Sequence, residues 1–541
     1  MAADPLRADL RRVLAQSGVY AAAALAQQGV SFLLLPLYTR FVPQAQYGQL
    51  ELLNAFSSIA FACLLLGLPS AIAKCYHRDC ADDLQRRALL PTALLLGAPP
   101  LLAGGAVLAA AAGPVAGLLL GSASGAGLVH LMVAGGVLTS FVALVLASLR
   151  AEERALAFGV LSLVQFTAAM TANVLLVVRW RLGVAGILWG NLVSYALALA
   201  LGLWLVRRGR RRPPAAAGEP AAATGGVAHG AAEAAAAAGF ALPGSEAAVP
   251  AAPVLVRGVP AFDRRLAGPL LRFGGLLIPV LLASWVMDLS DRWVLRLYTG
   301  LSDVAVYAVG YKIGMVLQVA VVWPFQLAWP AISFSISRRD GHRETYSRTA
   351  TLLAAVMAAA IAGLTLLSRV ALPALVGNAY RAAYQVVPLV ALAYACNGLH
   401  YAFSPGVHLA GRTRYFPPLA LAAAALNLGL NFLLIPPLGR MGAAWATAIA
   451  FAGFALGTAV LGQRFYPVPY EYGKLAKVAA ALALVLWLGM RVSPDGTPFA
   501  FAWHAVLGLC GVPALLLATG VLRRRRAGPE PDLAPAGGPA G

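Results

Sequence analysis

Charge is what this sequence has least of. Only 21 of its 541 residues are Asp or Glu, and charged side chains of both signs make up 11% of the chain. A soluble domain carries about 25% charged residues. With 60% hydrophobic content, the chain cannot cover water-facing domains, and it reads as a membrane protein with many spans. Cysteine is also sparse: Cys63, Cys75, Cys80, Cys396 and Cys510 are scattered, three of them within apolar runs, so no disulfide framework is implied. Cys75, His77 and Cys80 lie close in sequence, but they sit in a basic loop and lack a fourth ligand, which argues against a metal site. His130, His400, His408 and His504 stand alone, and most of them are expected to be packed residues.

Catalytic signatures are missing as well. No GxxxxGK[ST] loop is present to cradle nucleotide phosphates, which argues against ATP hydrolysis. The short loops carry no clusters of His and carboxylates of the kind a membrane-embedded transferase or ligase needs. The expectation is a protein that is not an enzyme and needs no cofactor. A formal net charge of +20 raises nucleic acid as a partner, but no compact basic domain accompanies it. In so apolar a chain, an excess of Lys and Arg belongs to cytoplasmic loops.

What the chain has in quantity is apolar runs of about 20 residues, the length that crosses a bilayer. Breaks at Arg, Pro and Gly place spans near 16–38, 50–73, 88–112, 127–149, 156–178, 184–206, 270–298, 304–331, 349–371, 384–404, 415–436, 441–462, 475–490 and 500–521. The expected fold is therefore all-α, with about 14 transmembrane helices. Most of the 41 Lys and Arg fall on the side of the N-terminus, so the positive-inside rule puts both termini in the cytoplasm. The opening MAADPLRADLRRVL has no small-residue cleavage site and reads as a retained cytoplasmic tail. The Ala-, Pro- and Gly-rich stretch 207–266 is expected to be a disordered cytoplasmic linker, and 523–541 a disordered tail.

The halves on either side of the linker repeat one another. LLPLYTRFVPQAQYGQLEL at 34–52 and VLRLYTGLSDVAVYAVGYK at 294–312 both carry LYT, with Tyr47 and Tyr307 each ten positions after its leucine. Gly186 and Trp189 in GVAGILWG are echoed by Gly442 and Trp445 in GRMGAAWA. Two matched regions in the same order point to duplication. The expected domains are a six-helix bundle over 1–206, a second over 267–465, and two extra helices over 466–522. An even number of spans per copy relates the bundles by an axis along the membrane normal, an arrangement that suits rocking around a central site.

Against this apolar background a few charges stand out. In LLIPVLLASWVMDLSDRWVLRLYTG, Asp288, Arg292 and Arg296 recur at i, i+4 and i+8 on one helix face, with Asp291 beside them. Asp288 and Arg292 can pair along the helix, which leaves Arg296 freer to meet an anion. Lys312 lies inside the next apolar run, and Arg40 and Glu51 occupy the corresponding rim of the first half. Such groups are expensive in lipid and are expected to face a wet cavity or a partner helix. The plainer alternative is snorkelling to headgroups or locking helices together, and it weighs most for Arg181 and Arg369. For Asp288 and Asp291 a structural ion pair competes with a role in coupling. Tyr38, Tyr298, Tyr307, Tyr311 and Trp293 suit stacking on sugar rings or anchoring at the interface. Pro324 and Pro330 should bend the eighth span.

LPLYTRF…YG, DRWVL…LYTGLSDVAVYAVGYKI, WPFQLAWPAIS and NLGLNFLLIPPLGRMGAAWAT together resemble the O-antigen and capsule type of polysaccharide flippase. These belong to the multidrug/oligosaccharidyl-lipid/polysaccharide exporter superfamily, and the resemblance covers about residues 10 to 465. It implies translocation of an undecaprenyl-pyrophosphate-linked oligosaccharide (lipopolysaccharide or capsule precursor) across the bacterial inner membrane by alternating access, in some members coupled to a cation gradient. Membrane lipids, a polysaccharide polymerase and glycosyltransferases are the implied partners, with no nucleic acid. Carried over by motif, the Asp-Arg of DRWVL falls on Asp291 and Arg292, and the lysine of YKI on Lys312. The substrate-binding expectation is thus Arg292, Lys312, Arg296 and Arg40, with Asp288 and Asp291 as coupling or ion-pair residues. Alternatives of the same fold are a lipid II flippase and a multidrug or cation antiporter. The antiporter is disfavoured because 16–38 contains no Asp or Glu. A glycosyltransferase or an assembly scaffold would need modules that are missing.

Overall fold

The computed structural model describes residues 33–80, 82–210, 262–338, 341–492 and 497–521. Among these residues all regular structure is helical. The first half begins with a short helix α1 (Leu35–Phe41), then α2 (Gln44–Leu64), α3 (Leu68–Lys74, continued by a π turn to Asp79), α4 (Asp83–Ala110) and α5 (Ala112–Leu120). It closes with α6 (Ala126–Ala151), α7 (Ala155–Asn173) and α8 (Gly183–Arg210). The second half contains α9 (Arg264–Tyr298), α10 (Leu301–Gly314), α11 (Trp323–Ile336), α12 (His342–Val376), α13 (Val387–Phe403), α14 (Pro405–Leu409), α15 (Phe416–Leu438) and α16 (Arg440–Phe465). Three more helices follow: α17 (Tyr472–Arg491), α18 (Pro498–Val506) and α19 (Val512–Ala518).

Among the described residues, eleven helical segments are long and apolar enough to cross a membrane, or 13 if two bent pairs each count as one span. The bent pairs are 44–64 with 68–79, and 378–385 with 387–409. Each of the 13 overlaps an expected span. The remaining expected span, 16–38, lies almost wholly outside the described residues, as do the tail 523–541 and most of the linker. Helix α8 runs to Arg210 and α9 starts at Arg264, so both ends of the expected 207–266 linker are helical. Pro324 is the second residue of α11, reached through a π turn at Gln318–Val322. Pro324 thus stands at a helix start, where a missing N–H costs least, while Pro330 lies inside α11.

Within lipid, helices are held together by close packing and polar contacts rather than by exclusion of water. The cores of the halves interlock. Leu52 of α2 belongs to the second half's core beside Val304 and Tyr307, while Ala305, Val306 and Val309 of α10 belong to the first half's core. Gly48 allows this approach: a Cβ there would overlap the Leu301 carbonyl. Further along the same seam, a Cβ on Gly67 would overlap the Gly274 carbonyl, and one on Gly274 the Leu66 carbonyl. Helices α17 and α19 pack on α12 through Val485, Val512 and Leu516 against Ala358, Ala362 and Leu366.

The sequence repeat falls on like places. A Cβ on Gly186 would press on the carbonyl of Leu176, just after α7, and one on Gly442 on the carbonyl of Leu434 at the end of α15. Their companions Trp189 and Trp445 are 47% and 45% exposed. In each half, then, the glycine lets one helix start against the end of the helix before it, and the tryptophan faces outward.

Candidate functional site

Helix α2 starts directly after Pro43, and Glu51 lies seven residues beyond Gln44, about 10 Å along the helix. That buries Glu51 to 5% exposure and corrects the expectation that it sits at the rim. Across the seam, Lys312 lies eleven residues into the helix that starts at Leu301, about 16 Å along it. The Lys312 ammonium is 2.5 Å from Glu51 Oε1 and donates to the Tyr47 hydroxyl at 2.7 Å. Arg292 of α9 completes the cross-seam group, its Nε 3.9 Å from Glu51 Oε2. That separation is an ion pair and not a hydrogen bond, and Nε has no hydrogen-bond partner among the described residues.

Arg292 is 3% exposed and its hydrogen bonds are local. Nη1 donates to the Asp291 carboxylate at 3.2 Å and to the backbone carbonyl of Asp288 at 2.8 Å. The expected side-chain pairing of Arg292 with Asp288 is therefore replaced by a backbone contact. The Asp288 carboxylate instead accepts from the Tyr311 hydroxyl at 3.3 Å, which in turn accepts from Tyr394 at 3.0 Å. Asp291 also accepts from Tyr307. The guanidinium of Arg292 lies 4.4 Å from the Tyr311 ring centre and 5.9 Å from that of Tyr307. Tyr47 and Tyr307, the two repeat tyrosines, are both fully buried; Tyr47 accepts from Lys312 of the other half, and Tyr307 donates to Asp291 of its own.

The other two cations named from sequence stay apart from it. Arg40 is exposed, and its Nη2 donates to the Ala374 carbonyl of α12 at 2.6 Å, so it bridges the halves near the LYT turn. The Arg296 guanidinium rests against Gly121, just after α5, where a Cβ would overlap it. Its Nε has no hydrogen-bond partner among the described residues.

The seam is closed along its length. Arg40 to Ala374 and Gln44 to the Ala379 carbonyl (3.2 Å) close the LYT end. Trp285 Nε1 donates to the Ala55 carbonyl at 2.9 Å near the middle. At the far end Gly67 meets Gly274, and Lys74 sits 4.9 Å from the Phe273 ring centre.

Beside the ion cluster, a cavity of about 670 Å3 opens within the first half between α2, α6, α7 and α8. Asn54, Ser57, Ser58, Thr139, Gln165 and Asn191 line it together with several apolar side chains, and Lys312 reaches its edge from the second half.

Tyr47, Glu51 and Tyr394 are the cluster members that sequence reasoning did not name as site residues. Tyr47 was legible as a repeat position but not as a partner of Lys312. Asn427 and Asn431, at i and i+4 on α15, were also passed over. Both are buried, linked at 3.1 Å, and Asn427 accepts from Ser290 of α9 at 3.4 Å. Two amides one turn apart in an apolar helix were the signal. His400 and His504 are buried and packed as expected, with His400 Nδ1 2.7 Å from Thr458 Oγ1.

The profile of the polysaccharide biosynthesis protein family matches residues 13–218. Among solved structures, the lipid II flippase MurJ in an inward closed conformation superposes with a TM-score of 0.66 at 10% identity, over 94% of this chain and 99% of that one. The chain therefore shares the fold of that flippase. The Vibrio cholerae MATE transporter VcmN superposes with a TM-score of 0.52 at 13% identity, over 84% and 96% of the two chains. A MATE structure in complex with MaD3S gives 0.51 at 15%, over 83% and 95%. No curated protein matches the chain by sequence. The helices long and apolar enough to cross a membrane make the chain a multi-pass membrane protein with the fold seen in these structures.

Proposed function

We propose that the chain is a flippase that carries an undecaprenyl-pyrophosphate-linked oligosaccharide from the cytoplasmic to the outer leaflet of the bacterial inner membrane, for surface polysaccharide synthesis. The observation that carries the reading is the pair Glu51–Lys312, with Arg292 beside it, buried across the seam of two halves next to a polar cavity. The match to a polysaccharide biosynthesis family supports the substrate class.

A pyrophosphate brings about two negative charges into a low-dielectric region, where it needs cationic partners. In the closed seam Glu51 occupies that role toward Lys312 and Arg292. An arriving pyrophosphate competes with Glu51, taking Lys312 as a mobile point charge and Arg292 through its unpartnered Nε. Once Glu51 is displaced, the halves lose their central tie and can part at one end while the other stays closed, which is alternating access. Asp291, held by Tyr307 and Arg292, fixes the guanidinium in place. Coupling to a cation gradient would act on the same pair, because a proton or metal cation on Glu51 releases Lys312.

The test uses the full chain in proteoliposomes with fluorescent lipid-linked substrates, scoring protection from a membrane-impermeant quencher. Translocation of a prenyl-pyrophosphate oligosaccharide, with none of a cationic dye, is expected. Dye transport without lipid translocation would overturn the reading. Because the superposition with the lipid II flippase spans nearly the whole of both chains, lipid II is the second substrate to assay. Its selective translocation would move the assignment to peptidoglycan.

A further inference from the structure

We propose that the cavity between α2, α6, α7 and α8 seats the carbohydrate head of the carried lipid, and that it takes an uncharged sugar ring attached directly to the pyrophosphate. The inference rests on the flippase reading above and adds where, and which kind of, sugar the chain holds.

Three observations carry it. The first is lining chemistry. A site for a drug-like apolar ligand is walled mainly by hydrophobic and aromatic side chains with few polar groups. Here hydroxyls and amides from four helices converge, among them Asn54, Ser57, Gln165 and Asn191. Amides offer donor and acceptor side by side, and serine hydroxyls turn to do either. Such a set matches the alternating hydroxyl and acetamido groups of a sugar. The Oε1 of Gln165 is buried and has no hydrogen-bond partner among the described residues, a costly state in an apolar setting unless a ligand donor meets it. Tyr38 and Tyr195 add aromatic rings to the wall, faces on which the apolar side of a pyranose can rest.

The second observation is charge. Among the described lining residues Lys312 is the only charged one. No carboxylate is present to hold a cationic ligand, and no second cation to neutralise a sugar acid, so the lining favours uncharged rings.

Position is the third. Lys312 belongs to both the ion cluster and the cavity edge. A pyrophosphate on Lys312 and Arg292 therefore places the bond to the first sugar at the cavity mouth. The volume of about 670 Å3 lies within the roughly 300–1,000 Å3 of ordinary small-molecule sites.

The experiment measures binding to the full-length protein in detergent, by calorimetry, of a short-chain prenyl pyrophosphate and of the same lipid carrying one N-acetylglucosamine. On wild type the glycosylated probe should bind at least about tenfold tighter. Asn54→Leu/Ser58→Leu, on two side chains of α2 that are exposed in the structure, should erase that advantage and leave binding of the bare lipid unchanged. Gln165→Leu tests the same point from α7 should the double variant fail to fold. Equal affinity of both probes on wild type overturns the cavity assignment while leaving the pyrophosphate site standing, as does an undiminished advantage in either variant. Failure of both probes to bind overturns the cavity assignment together with the flippase reading.

Discussion

Glu51 and Lys312 come from opposite halves of the chain, 261 positions apart, and their charged groups stand 2.5 Å from each other in the middle of the helical seam. Both are largely removed from solvent, with side chains 6% and 17% exposed. A buried pair of this kind adds little net stability compared with a well-packed apolar substitute, but removal of one partner strands the other's charge. It is a contact suited to being exchanged for another charge of the same sign.

Lys312→Met should therefore destabilise the protein by about 3–5 kcal/mol, because Glu51 loses its nearest cation and keeps only the longer ion pair to Arg292 and the neutral Tyr47 hydroxyl. Glu51→Gln/Lys312→Met should recover most of that loss, since no buried charge is left unpaired. Thermal unfolding in detergent checks the order of the three proteins. A single variant as stable as wild type would show that the pair is not coupled.

Tyr307→Phe removes a hydroxyl donor from the buried Asp291 carboxylate. The expected loss is about 1–3 kcal/mol, the cost of a buried acceptor left short of a partner. Tyr394→Phe removes a donor only from the Tyr311 hydroxyl, so it should cost about 0.5–1.5 kcal/mol. Measured unfolding midpoints should rank Tyr307→Phe below Tyr394→Phe.

Gly48→Leu places a side chain where even a Cβ would overlap the Leu301 carbonyl. The halves must separate locally, and the ion cluster, whose Glu51 lies about one turn further along α2, should loosen with them. Hydrogen exchange of the α2 and α10 amides should rise relative to wild type, while that of α17, packed on α12, stays the same.

Gln44 and Ala379 meet at the LYT end of the seam. Gln44→Cys/Ala379→Cys, joined by a short bifunctional thiol reagent, should hold that end shut and stop translocation in proteoliposomes. Reduction of the link should restore it. Unchanged transport by the linked protein would rule out opening at that end.

The sequence displayed much of this arrangement, for identifiable reasons. Asp291, Arg292 and Lys312 were visible because ionised groups are rare in lipid-length apolar runs. The LYT repeat drew attention to Tyr47 and Tyr307, which lie against the same cluster. Glu51 was misplaced because the polar QAQYGQ run looked like a loop. In the structure it is the first two turns of α2, with Tyr47 and Leu50 buried against other helices. Packing against the second half, which no local pattern records, sets that helix start. The cavity was unreadable for a similar reason. Asn54, Gln165 and Asn191 lie on three helices and seem unremarkable until the helices are packed. Helix-face spacing groups Arg296 with Arg292, and the repeat sets Arg40 at the matching rim of the first half, but in space Arg40 fastens the rim and Arg296 faces Gly121.

The most direct test of the account is the rate at which Glu51→Gln/Lys312→Met translocates a fluorescent prenyl-pyrophosphate oligosaccharide, measured in proteoliposomes beside wild type. The double variant should be folded, with near wild-type thermal stability, because its seam carries no stranded charge. Its translocation should nonetheless fall by about 100-fold or more, as expected when a charge-assisted phosphate contact worth roughly 3 kcal/mol is lost. A well-folded double variant that translocates at the wild-type rate would contradict the central claim that Lys312 receives the substrate's pyrophosphate.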